Sequence, residues 1–185
     1  MPVIVSCDVG TKNLALCIIK TSKDFDNSHI LGMDLLQITK ETSFCCKLLS
    51  ETLEKLQQWY ISHQQFFFDE IVHFVIERQP NRSYLMSMVM SSVLTWAYCN
   101  FNGGSFNIAN PKHKLGFVHF PKSLSYQNRK KKAVEIALKM TSSSPWHAVI
   151  QSHKKKDDIC DCLLQGLYYL EGNFACKVLL PLIGP

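Results

Sequence analysis

Two apolar, β-branched runs each lead into a carboxylate, and this pattern restricts the fold more than any other feature of the chain. Val3-Ile4-Val5-Ser6-Cys7 runs into Asp8, and Phe74-Val75-Ile76 runs into Glu77. Short runs of this kind read as strands buried within a sheet. The chain must therefore place two acids at strand ends, where burial is costly unless a cation compensates. A second pair, Asp158 and Asp161, stands three residues apart in Asp157-Asp158-Ile159-Cys160-Asp161, directly after the basic run Lys154-Lys155-Lys156. A divalent metal is the evident compensating charge, and Mg²⁺ is commonly held by a few carboxylates together with substrate phosphates.

The remaining pattern predicts how those acids are brought together. Val3 to Val9, Leu14 to Lys20 and Ile30 to Ile38 read as three consecutive strands, with turn chemistry in Gly10-Thr11-Lys12-Asn13 and a polar stretch from Ser22 to Ser28. Short connections imply an antiparallel meander. From Phe44 to Ile61 the apolar residues repeat at three- and four-residue steps, which predicts a helix capped by Thr42 or Ser43. Ile71 to Ile76 reads as a buried strand stopped by Pro80, and Ser83 is placed to cap a long helix through Ala97. Phe106 to Ala109 is a further predicted strand, and Phe117 to Phe120 another short one. Pro111 to Gln127, with His113 and His119, reads as an irregular, mobile loop. Helices follow over Arg129 to Met140 and from Asp157 to about Glu171, with a loop around Ser142 to His153 between them and Gly172-Asn173 as the stop.

This order predicts an α/β domain spanning residues 1–185, a mixed central sheet with helices on both faces. A helical crossover before Ile71–Ile76 makes that strand parallel to the first one. Asp8 and Glu77 then share one sheet edge. A helix starting at Asp157 can dock there with Asp158 and Asp161 on one face, because positions three apart are helical neighbours. Residues roughly 150 positions apart would meet at one metal site.

Composition agrees with a globular protein and excludes several classes. Hydrophobic residues make up 46% and charged residues 19%, and no apolar run reaches the length of a membrane span. The N-terminus carries neither a secretory signal nor an Arg-rich transit segment, so an intracellular, complete chain is expected. The eight cysteines contain no C-x-x-C pair, which argues against structural zinc and for reduced, buried thiols. The net charge of +5 is concentrated in Arg129-Lys130-Lys131-Lys132 and Lys154-Lys155-Lys156. Either run alone would be a solvated helix end; both beside a carboxylate cluster point to phosphate contacts.

Each acid also has an ordinary structural reading. Asp8 could form a turn, Glu77 could pair with Arg78, and Asp157 and Asp158 could cap a helix. Asp161 is harder to explain so, lying among Cys160, Cys162, Leu163 and Leu164. As a set, the four can hold two ions roughly 4 Å apart for in-line phosphodiester hydrolysis. Asp8, on the strand expected at the sheet centre, would bridge them, and a lysine of 130–132 would steady the phosphate.

The motifs themselves resemble a known family. Asp8-Val9-Gly10-Thr11-Lys12-Asn13-Leu14-Ala15 is similar to the first motif of RuvC-type Holliday junction resolvases, within the RNase H-like superfamily. Val75 to Ser83, with Glu77-Arg78-Gln79-Pro80-Asn81-Arg82, resembles the second motif of the poxvirus-type branch. Asn128-Arg129-Lys130-Lys131-Lys132-Ala133-Val134 resembles its basic helix, and Lys156 to Asp161 its terminal helix. Fungal mitochondrial resolvases share similar first and last motifs.

That resemblance implies an RNase H-like fold and a homodimer that nicks opposing strands of four-way DNA junctions, leaving 5′-phosphate and 3′-hydroxyl ends. By motif, the metal ligands are Asp8, Glu77, Asp158 and Asp161, with Asp157 a near-duplicate of Asp158. Two Mg²⁺ ions, replaceable by Mn²⁺, are implied. The catalytic lysine matches Lys131, within one position. Lys12, Arg78, Arg82, Arg129, Lys130, Lys132, Lys154, Lys155 and Lys156 are the candidate DNA contacts. A viral protein acting in the host cytoplasm is expected rather than a mitochondrial one. Competing readings are a nuclease for RNA–DNA hybrids or structured RNA, an actin-like nucleotide-binding module, and a non-catalytic junction-binding protein.

Overall fold

The computed structural model describes residues 2–22, 28–38, 45–79, 83–101, 103–111 and 125–174. Three strands open the chain: β1 (Val3–Val9), β2 (Asn13–Thr21) and β3 (Ser28–Gln37), paired antiparallel in sequence order. The β1–β2 turn closes tightly. A Cβ on Gly10 would stand 2.7 Å from the Asn13 carbonyl oxygen, so glycine is required there. Helix α1 (Cys45–His63) and a 3₁₀ turn carry the chain back to β4 (Val72–Glu77), which pairs parallel with β1. Helix α2 (Tyr84–Asn100) makes a second crossover to β5 (Phe106–Ala109), parallel to β4. Three helices complete the described chain: α3 (Tyr126–Met140), α4 (Trp146–Ser152) and α5 (Lys156–Phe174).

The sheet order is β3-β2-β1-β4-β5, which puts β1 at the centre. Side chains alternate between its two faces. Val3, Val5, Cys7 and Val9, with Phe74 and Ile76 of β4, pack with Leu48, Leu56 and Trp59 of α1 and Val89, Val93 and Trp96 of α2. On the other face, Ile4, Ala15, Cys17, Ile19 and Val75 pack with Ile150 of α4 and Ile159, Cys162, Leu163 and Leu167 of α5. Burying a side chain such as Leu163 completely contributes about 1.5–3 kcal/mol. The fold is thus the expected mixed sheet between two helical layers. None of the described helices is long and apolar enough to cross a membrane.

Most elements lie where the pattern puts them, and Ser83 caps α2 by accepting from the Met86 amide at 3.4 Å. Three differences have physical causes. The segment read as a loop around Ser142 to His153 contains α4, whose seven residues are too few to show a period; Ile150 is buried, and the Trp146 indole donates to the Ile30 carbonyl at 3.0 Å. Helix α3 begins at Tyr126, earlier than Arg129, because the Ser125 hydroxyl accepts from the Asn128 amide. Helix α5 passes through Gly172-Asn173, where the Asn173 amide donates to the Tyr169 carbonyl of its own helix instead of ending it. The Thr42 or Ser43 cap, Pro80, Arg82, the Phe117–Phe120 strand, His113 and His119 lie outside the described residues.

Candidate active site

Parallel pairing runs through Cys7↔Ile76, so Asp8 and Glu77 each follow the last pair, at the same edge of the sheet. Both are half-buried. Alternation gives Asp8 the face of Ile4 and Ser6, and Glu77 the face of Val75, which is the face covered by α5. Helix α5 begins at this edge. Asp8 and Asp158 line one cleft of about 210 Å³, together with Val9, Gly10, Thr11, Lys12 and Asn13. The Asn13 amide closes its wall, donating to Asp158 Oδ2 at 3.2 Å. Asp161, three residues further along α5, is only 7% exposed.

The two adjacent aspartates at the head of α5 are differently engaged. Lys130 Nζ of α3 donates to Asp157 Oδ2 at 2.6 Å and sits 5.5 Å above the Tyr126 ring. Burial works to lower the Lys130 pKa, but the hydrogen bond and charge of Asp157 outweigh it and hold the ammonium above its ordinary value. Burial likewise works to raise Asp157, and the Lys130 bond and charge, aided by Lys155, bring it below the usual carboxylate range. Asp158 instead faces the cleft. The small cluster of Ala133, Ile136 and Leu164 seats α3 on α5, which brings the basic run to the acidic end of the sheet.

Other basic residues lie near the acids in sequence or on α3, and Lys12 lines the cleft itself. Lys132 pairs with Glu135 at 2.7 Å within α3, whereas Arg129 and Lys131 are exposed. Lys12, Arg78, Lys154 and Lys155 are also exposed, and Lys156, half-buried, begins α5. Among the described residues Cys7, Cys17, Cys160 and Cys162 are buried thiols, whereas Cys46 and Cys99 are exposed. Burial, then the charges of Asp161 and Asp157, pushes the Cys160 thiol up to about 12, which makes it a packing group rather than a redox sensor.

The donors fit a hard divalent cation in kind, since all four acids offer oxygen. Among the described residues, however, no three His, Cys, Asp or Glu side chains stand together as a ready-made metal cage. Asp8 and Asp158 share the cleft, Glu77 ends the adjacent strand, and Asp161 lies one helical turn deeper. Like charges repel when no cation is present, and Mg²⁺ characteristically takes few protein ligands and completes its shell from water and phosphate.

Gln165 is a part of this region that motif reading did not single out. It is buried, one turn beyond Asp161, and its Nε2 donates to Ser6 Oγ and Cys7 O at 3.1 Å and to Val75 O at 3.3 Å. The available signal was a lone amide inside Leu163-Leu164-Gln165-Gly166-Leu167.

Comparison with known proteins bears on the fold and the family. In fold the chain is similar to the fowlpox virus Holliday junction resolvase, at 19% identity and a TM-score of 0.65, covering 92% of this chain and 99% of that one. It is also similar to T. thermophilus RuvC in complex with a Holliday junction substrate, at 12% identity, TM-score 0.62 and coverage of 94% and 97%. The yeast mitochondrial Holliday junction resolvase Ydc2 gives 16% identity, TM-score 0.51 and coverage of 94% and 82%. No curated protein matches the sequence significantly. The family described as Poxvirus A22 protein matches residues 2–173, a span that takes in β1, β4 and α5 with all four carboxylates, and the chain belongs to that family.

Proposed function

We propose that this protein is a Holliday junction resolvase, a metal-dependent endonuclease that nicks opposing strands of a four-way DNA junction symmetrically. The observation that carries the reading is the convergence of Asp8 and Asp158 on one cleft, beside the strand end that bears Glu77. Family membership and the likeness to structures that include junction DNA support it.

Asp8, Glu77, Asp158 and Asp161 would hold two Mg²⁺ ions, with Mn²⁺ able to substitute, and Asp8 lies on the central strand of the sheet. Such ions, when bound, activate water and stabilise the leaving 3′-oxygen. The ion pair with Lys130 engages Asp157, which favours Asp158 as the ligand of the two. Lys131 is the exposed lysine of its run, between the paired Lys130 and Lys132, and would meet the scissile phosphate as its charge develops. Lys12, Arg78, Arg129, Lys154, Lys155 and Lys156 would contact the phosphodiester backbone; Arg82 joins them by motif alone. Such contacts make binding strongly salt-dependent.

The active unit in this reading is a homodimer. Helix α2 contains no charged residue from Tyr84 to Asn100 and leaves Tyr84 and Tyr98 more than 70% exposed, at 79% and 73%. An uncharged helix surface that exposes two tyrosines suits an interface, and a second copy would cover it. The expected place of action is the host cytoplasm, where branched viral replication products would be cut.

The decisive experiment compares cleavage of a mobile four-way junction, an RNA–DNA hybrid and a plain duplex, with and without Mg²⁺. Symmetric, ligatable junction nicks that require the metal are expected. Preference for the hybrid would replace this reading with an RNase H-type nuclease, and junction binding without nicking would leave a binding protein.

A further inference from the structure

Gln165 is 2% exposed, midway along a helix that meets the sheet largely through apolar side chains, with Asp158 bonded to Asn13 near its start and the Tyr169 hydroxyl bonded to Asn107 further on. Its amide spans the seam between the two strands that end in Asp8 and Glu77. One acceptor, the Cys7 carbonyl, belongs to the residue before Asp8; another, the Val75 carbonyl, lies two residues before Glu77; Ser6 and Val75 are register partners. Two of the three groups it meets are carbonyls, which accept only, so the nitrogen end of the amide must face the seam. Gln165 also sits on the helix that carries Asp158 and Asp161, four residues after the latter. A single side chain therefore touches β1 and β4 from α5, the three elements that bear the carboxylates.

Two neighbours sharpen the placement. Cys162 Sγ, one turn before it on the same helix face, lies 3.0 Å from the Ser6 carbonyl. Gly166 lets the helix approach closely, since a Cβ there would stand 2.8 Å from Ile19 Cδ1 and 3.1 Å from Ser6 Cβ. Apolar contacts alone would let α5 slide along or rotate over the sheet at little change in energy. Hydrogen bonds to fixed backbone carbonyls depend on distance and angle, and so hold both.

We propose that Gln165 is a positioning residue that sets the placement of Asp158 and Asp161 relative to Asp8 and Glu77, and through it the affinity of the site for its divalent metal. This rests on the metal-nuclease reading above. Groups that orient metal ligands without touching the ion typically change metal affinity or activity by about 10–100-fold when removed.

The test replaces Gln165→Leu, which keeps the buried volume and removes the three bonds, and Gln165→Met as a gentler second variant should the first not fold. Ile150→Ala, on a helix that carries none of the acids, is the control for lost stability alone. Each protein is examined for its thermal midpoint, for Mn²⁺ binding by calorimetry and electron paramagnetic resonance, and for junction cleavage across a Mg²⁺ titration. The Gln165 variants are expected to bind Mn²⁺ about tenfold more weakly and to need correspondingly more Mg²⁺ for half-maximal cleavage, with junction affinity unmoved. Ile150→Ala should lower the midpoint and leave both metal readouts in place. Unchanged metal binding in the Gln165 variants, or losses that follow the midpoint in all variants, would overturn the proposal. Wild-type protein that binds Mn²⁺ through Asp8 yet cuts no junction would defeat the resolvase reading alone, and the Mn²⁺ shift would still judge Gln165. Wild-type protein without Asp8-dependent Mn²⁺ binding would overturn both.

Discussion

Lys130 of α3 reaches across to Asp157 at 2.6 Å, while its neighbour Asp158 turns into the cleft with Asp8. One ion pair thus separates two adjacent aspartates, of which the motif favours Asp158 and makes Asp157 a near-duplicate. Asp158→Asn should abolish cleavage, as should Asp8→Asn and Asp161→Asn, with junction binding retained in all three. Asp157→Asn should cleave at a reduced but measurable rate. Single-turnover nicking alongside a gel-shift titration checks this; full activity in Asp158→Asn would move the ligand to Asp157.

The same pair predicts a pH signature. Asp157 titrates below its ordinary value in the folded protein, so its contribution is present above the unfolded pKa and is lost as pH falls through the folded one. Lys130 titrates above its ordinary value, so its contribution is complete below the unfolded pKa and is lost as pH rises through the folded one. The pair is partly exposed and should contribute on the order of 1 kcal/mol. The stability difference between wild type and Asp157→Asn should be flat across neutral pH and should vanish in acid, below the usual carboxylate range. Thermal melts from acid to neutral pH measure it; a gap that widens in acid contradicts the assignment.

Asn13 holds Asp158 from the β1–β2 turn. Asn13→Ala should slow cleavage about 10–100-fold, with little change in junction affinity, since the residue steadies the proposed ligand Asp158 and carries no charge for phosphate. Equal losses in rate and affinity would make it a DNA contact instead.

Lys131 is exposed beside two partnered lysines. Lys131→Ala should lower the cleavage rate by roughly 10²–10³-fold, the effect of losing one donor aimed at developing charge, and should weaken binding far less. Lys155→Ala should do the reverse and reduce the slope of log affinity against log salt by about 1. Parallel rate and affinity measurements at several salt concentrations separate the two roles.

The uncharged outer side of α2 predicts the assembly. Tyr98→Glu should convert a dimer to a monomer in sedimentation analysis without lowering the thermal midpoint of the monomer fold, because the ring is 73% exposed in the single chain. A dimer that survives this change must use another face.

The arrangement of the acids was legible in the sequence to the extent that it depends on local rules. Alternation and β-branching identify β1, β2 and β4. A helical crossover requires β4 to run parallel to its neighbour, and that requirement carries Asp8 and Glu77 to one edge. The three-residue spacing of Asp158 and Asp161 likewise follows from helix geometry. What escaped is what depends on meetings in space. The pairing of Lys130 with Asp157 needs the docking of α3 on α5, which Ala133, Ile136 and Leu164 decide. The reach of Gln165 to two backbone carbonyls has no motif, because carbonyls are present at every residue. Helix α4 fell below the length at which period can be read, and the stop signal in Gly172-Asn173 was overridden by a side chain that bonds its own helix.

The central place of β1 carries a consequence for the chain while it is being made. Asp8 emerges among the first residues, but the wall that Asp158 adds to its cleft belongs to a helix that starts at residue 156. At about 5–20 residues per second, roughly 7–30 seconds of translation separate the two. Until then the α5-facing side of the sheet, with Ile4, Ala15, Cys17 and Ile19, has no helical cover from α5, and the carboxylates of β1 and β4 lack their partners. In the proposed metal-nuclease reading, the full set of acids is therefore completed only by the step that buries the α5-facing side of the sheet.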